Sequence, residues 1–221
     1  MAVVDESAFL LLVQAVIADD APSVERMLAT SPSLARAQAA RGATRQEAEP
    51  FYFGEIGHYL YVGDSALHIA AAGYRTGLVG TLVAAGSDVR ARNRRGAEPL
   101  HYAADGAPGS KRWDADAQAA TIAALIAAGA DPNATDKSGV APLHRAVRTR
   151  CADAVRALLE GGADGRLANK SGSTPMKLAT QSTGRGGSGS PEAKSQQEEI
   201  VRLLIRHGAG EERPEPDGVD G

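Results

Sequence analysis

The sequence predicts an all-α protein, a solenoid of about five helix-turn-helix units interrupted by long inserted loops. Three observations predict it. A short motif recurs as Ala66-Leu67-His68-Ile69-Ala70, Pro99-Leu100-His101-Tyr102-Ala103 and Pro142-Leu143-His144-Arg145-Ala146, with Pro175-Met176-Lys177-Leu178-Ala179 as a weaker copy. Four glycines, Gly86, Gly129, Gly162 and Gly208, each follow apolar residues placed seven, four and three positions earlier, as in Val79, Leu82 and Val83. That spacing lines up one helical face, and the glycine stands where a left-handed C-cap ends a helix. The registers also agree: His68 to His101 and His144 to Lys177 are 33 residues each, and Gly86, Gly129 and Gly162 each precede the next motif position by 15.

The clearest unit, residues 136–164, reads as a turn, a short helix from Pro142, a second helix through Val155, Leu158 and Leu159, and a glycine stop. A 33-residue unit carrying Pro-Leu-His-x-Ala resembles the ankyrin-repeat family, whose signature is Thr-Pro-Leu-His-x-Ala. The resemblance spans roughly residues 8–209. Only Thr174 supplies the motif threonine, and Lys177 replaces the histidine in the last copy.

Taken in order, residues 6–35 form the first helix pair. Pro22-Ser23 marks its loop, with Ser23 as the expected N-cap. The apolar run from Ala8 to Val13 follows Asp5 and Glu6 and precedes Asp19-Asp20, so it reads as a helix of a cap with a polar outer face and not as a signal peptide. Residues 36–61 are an insertion: 37 residues separate Ser31 from His68 where 15 is usual. It holds Phe51, Tyr52, Phe53, Tyr59 and Tyr61, five of the nine aromatics. Either these plug the gap beside the first unit, or the tyrosines reach a binding surface.

Repeat units follow at about 62–95, 96–138, 139–171 and 172–209, the whole making a repeat domain over 1–209. Two of them carry extra residues between their helices, about 10 after His101 and about 13 after Lys177. The first of these loops contains Trp113, which either folds back on the helix ends or anchors a partner. The second, residues 184–194, is glycine-rich. It lacks the P-loop lysine after Gly189 and has no preceding strand, so it reads as a flexible linker. Residues 210–221, with five acids and one arginine, are expected to be a disordered acidic tail.

Composition narrows the function. Hydrophobic content is 43% of 221 residues, and no run reaches membrane-spanning length. The single cysteine, Cys151, excludes an internal disulfide and suits a reducing cytoplasm. Ala-, Gly- and Arg-rich usage points to a bacterial source. Net charge is −3, but without the tail there are 23 basic and 22 acidic residues. Duplex nucleic acid is disfavoured on that balance.

No cofactor, metal or catalytic constellation is expected. His68, His101 and His144 occupy equivalent positions on stacked helices about 8–10 Å apart, whereas zinc holds each ligand nitrogen near 2 Å. The resemblance implies instead that these rings bond the turn backbone. His58 and His207 have no ligand at metal spacing, and no Gly-x-Ser-x-Gly follows a strand. Asn133 reads as a turn-fixing residue.

The resemblance further implies a non-catalytic scaffold that binds a partner protein in a groove formed by turn tips and first helices. Mapped by position, that groove holds Tyr61, Arg92, Arg94, Arg95, Asp105, Lys137, Arg148, Thr149, Lys170 and Gln181, six of them basic. Tyr52, Tyr59 and Trp113 join the expected contact residues. The expected partner is an acidic protein, met by a monomer. A phosphate-rich ligand or nucleic acid on the same basic groove is the alternative, and the acidic tail could compete for the groove from within the chain.

Overall fold

The computed structural model describes residues 5–181 and 191–209. The acidic tail and most of the glycine-rich segment lie outside them. Ten α-helices run in chain order among the described residues: α1 (Glu6–Ile17), α2 (Ala21–Thr30), α3 (Ala66–Ala72), α4 (Thr76–Ala84), α5 (Pro99–Ala103), α6 (Ala115–Ala127), α7 (Pro142–Thr149), α8 (Ala152–Glu160), α9 (Pro175–Thr180) and α10 (Pro191–Arg206). Consecutive helices pair. The odd-numbered members stack in one row and the even-numbered in another. We call these the inner and outer rows.

Local chemistry sets the ends. Pro99, Pro142 and Pro175 open α5, α7 and α9, where a missing N–H costs nothing. Asp20, not Ser23, caps α2: its carboxylate accepts the Ser23 N–H at 3.1 Å, and the helix has already begun at Ala21. An aspartate one residue ahead of the first turn leaves the serine no end to cap. The four predicted stop glycines have φ between +76° and +98°, in the region that only glycine occupies freely.

The core is the stripe read from sequence. Val79, Leu82, Ile122, Leu125, Val155 and Leu158 are fully buried between the rows. The last helix departs from that register. Ile200, Leu203 and Leu204 are its large buried residues, while Ile205 is 57% exposed because no described helix packs beyond it. At the other end the expected polar outer face is broken by Leu11, 58% exposed, and Leu10. The stripe Phe9, Leu12, Val13 and Val16 takes the core side of α1 and leaves those two opposite.

Successive turns are tied by single backbone bonds: Arg94 N–H to Val62 O at 2.9 Å, Lys137 N–H to Arg95 O at 2.9 Å and Lys170 N–H to Ser138 O at 3.2 Å. The insertion extends this line. Residues 37–43 run beside 60–65, with Ala39 N–H to Asp64 O and Ala43 N–H to Leu60 O both at 2.8 Å. Beyond them, β1 (Tyr52–Phe53) and β2 (His58–Tyr59) make a small antiparallel hairpin, a feature that the helical periodicity did not predict. Among the described residues no helix is long and apolar enough to cross a membrane.

Candidate docking surface

The inner helices differ along the stack. Every residue of α3 and α5 is buried. A helix buried on all sides must be covered on all sides. α5 packs against α3, α6 and α7, and the insertion covers what remains. The His58 ring lies 4.4 Å from that of Tyr102 on α5. At the hairpin tip, Ile56 sits so close to Gly73 that a Cβ there would be 2.9 Å from it. Phe51, Phe53, Ile56 and Tyr61 pack on the core from this side. The apolar residues of the insertion thus plug the gap, and Tyr52 stays exposed.

The cover ends at α7. The residues equivalent to His+1 in the motif are Ile69, Tyr102, Arg145 and Leu178. The first two are buried, whereas Arg145 keeps 13% of its side chain exposed and Leu178 is half-buried. Arg148, one turn along, is exposed.

A buried polar network fixes the step between covered and open regions. Asp64 is fully buried. Its carboxylate accepts the Tyr61 N–H at 2.6 Å, Asn93 Nδ2 at 2.9 Å and the Tyr102 hydroxyl at 2.8 Å. Burial, and then the charge of Asp64, hold the Tyr102 phenol far above its usual pKa, so it stays a donor. Asn93 Oδ1 in turn accepts the Arg95 and Ala97 N–H groups at 2.8 and 3.1 Å. The turns carrying Tyr61 and Arg95 are thus locked together.

Most of the predicted contact residues gather here. The Arg95 guanidinium lies 4.1 Å from the Tyr61 ring centre and Arg94 5.8 Å from it. Tyr59 lies 6.3 Å from Tyr61, and Tyr52 4.8 Å from Tyr59. Two cavities share Tyr61 and Arg95. One, about 290 Å³, is lined by Thr44, Arg45, Tyr59 and Arg94. The other, about 200 Å³, lies between His58, Tyr102, Arg145 and Arg148.

Other predicted residues are engaged or distant. Arg94 donates to the Ala43 carbonyl at 2.6 Å and so helps hold the insertion. Arg92 pairs with the buried Glu98 at 3.1 Å, whose carboxyl is pushed up by burial. Asp105 pairs with Arg145 at 2.7 Å. Trp113 is half-buried, donates to Gln118 at 2.7 Å and lines neither of these cavities. Lys137 and Lys170 lie on successive turns, and they and Gln181 are exposed; Thr149 bonds back to the Arg145 carbonyl at 3.0 Å. Three residues lining these cavities were not legible in the sequence: Arg45 and His58, because the insertion has no repeat register, and Arg145, because its motif position varies freely.

The repeat histidines are structural. In each of His68, His101 and His144, Nδ1 accepts a backbone N–H at 3.1 Å and Nε2–H donates to a carbonyl of the next turn. Burial lowers all three, His101 to about 4. Among the described residues no group of three His, Cys, Asp or Glu could hold a metal ion. The Cys151 thiol is buried and pushed up to about 11 by that burial, unlike an activated nucleophile. Asn133 donates to Gly162 O at 3.0 Å and accepts the Asp164 N–H at 2.7 Å, tying its turn to the next.

Family models agree with this architecture. Residues 62–94 match the model described as ankyrin repeat, and residues 125–179 match the one described as ankyrin repeats (many copies). No curated protein matches the chain. Repeats of this kind generally mediate contact between proteins. With two repeat models matched and five stacked helix pairs, the chain carries ankyrin repeats.

Proposed function

We propose that the protein is a non-catalytic scaffold that docks another protein in the open half of its inner groove, over α7 and α9, beside the turn tips and Tyr61. One observation carries this reading. Arg45, Arg95, Lys137, Arg148 and Lys170 are exposed, and none has a carboxylate partner among the described residues. Unpaired cations set around a half-buried tyrosine suit an acidic partner, because arginine forks match carboxylates and Tyr and Arg dominate contact hot spots. The buried thiol fits a reducing compartment such as the cytoplasm.

The test is capture of partners from native lysate by the wild type and by a variant with Arg95, Lys137, Arg148 and Lys170 changed to alanine. Arg94 is kept, since it secures the insertion through Ala43. A protein held by the wild type and released by the variant, with binding that falls as salt rises, supports the reading. Equal capture by both removes the groove as the docking surface.

A further inference from the structure

We propose that the closed end of the groove, between Arg95 and Arg148, holds the terminal carboxylate of a partner chain. The inference rests on the docking reading above and names the chemical group the groove takes. Three observations carry it.

The groove is open on one side only. α3 and α5 are covered, and the edge of that cover is His58 and Tyr61. A chain lying over α9 and α7 meets this edge and cannot continue along the inner helices. An internal residue at that place would force the backbone to turn outward, whereas a chain end needs no continuation.

The cavity at that edge is small and cationic. Its volume is about 200 Å³, and Arg95, Arg145 and Arg148 line it against one carboxylate, Asp105. Arg145 is already held by Asp105 at 2.7 Å and Asp136 at 3.3 Å, and its Nε is buried without a hydrogen-bond partner. Among the described residues Arg95 and Arg148 have no carboxylate partner. They enter from two separate segments, a turn and α7, so a carboxylate between them can accept from both forks.

The cavity is also pre-shaped. Arg95 rests on Tyr61 at 4.1 Å, and the turn beneath it is fixed by Asn93 and Asp64. Arg95 therefore has little ordering left to do on binding. Capture of a chain terminus is a known mode of peptide recognition.

The test uses a library of short fluorescent peptides, half ending in a free carboxylate and half in a carboxamide, screened against the full chain. Binders should come from the free-acid half. Amidation of a selected peptide should weaken it about tenfold or more, as should Arg95→Ala or Arg148→Ala. Arg206→Ala, exposed on α10, should leave it unchanged. The amidation arm needs no variant, so it decides even if a substitution disturbs folding. Binders drawn equally from both halves, yet weakened by Arg95→Ala, would overturn the terminal assignment and leave groove docking standing. No binder from either half would remove both.

Discussion

His101 has both ring nitrogens committed, Nδ1 to the Glu98 N–H at 3.1 Å and Nε2–H to the Val140 carbonyl at 3.0 Å. Protonation would destroy the first bond and charge a buried ring. Burial, and then the nearby charge of Arg145, lower its pKa from 6.5 to about 4. A lowered histidine stabilises the fold fully above its unfolded value and loses that contribution as pH falls toward the folded one. For His101 alone the loss is about 3 kcal/mol across the window, with about 2 kcal/mol gone by pH 5. His68 and His144 shift in the same direction. Buried Glu98, raised, works the other way. Urea unfolding should therefore show a clear stability loss between pH 7 and pH 5, above the usual carboxylate range; a flat profile there would contradict the neutral-ring geometry. The motif announced these three residues. It could not announce Asp64, because its donors Asn93 and Tyr102 lie 29 and 38 residues along the chain and meet it only after stacking.

At the scale of elements, the turns are where small residues matter. Gly139 has φ +74°, and a Cβ there would stand 2.7 Å from the Lys170 nitrogen, which bonds Ser138. Gly162 has φ +93° but open space around it. Gly139→Ala should cost roughly 2–3 kcal/mol, combining strain and a backbone clash, and Gly162→Ala about 1 kcal/mol from conformation alone. Denaturant midpoints of the two variants would check the order, and equal losses would show that turn-to-turn contact contributes nothing. The helices and their stops were legible because each is encoded within one unit by spacing and a glycine. The hairpin was not. Its strands are two residues each, too short for period-two alternation to register, and what holds Ile56 and His58 is α3 and α5, far along the chain. For the same reason the sequence placed binding residues along the whole groove, while the structure covers its first half.

Across the whole molecule, each pair touches mainly its neighbours, so stability should be graded from the middle outward. α5 to α8 have partners on both sides. α10 packs on α8 and α9 and leaves Ile205 to solvent. Native-state hydrogen exchange should find the slowest amides in α6 and α8 and much faster ones in α10. Uniform protection would mean the array unfolds as one block. The stacking itself was readable from the 33-residue interval, but which surface remained free was not, since that depends on where an insertion without register comes to lie.

The covered half of the groove has a consequence for alignment. A regular array presents nearly the same surface at every step, so a bound chain can shift by one unit and find similar contacts. The hairpin on Tyr102 ends that translational ambiguity: sliding in one direction is blocked, and the steps are no longer equivalent. An insertion that looks like an interruption of the pattern thus supplies the one thing a repeating surface lacks, a fixed origin from which position along it is counted.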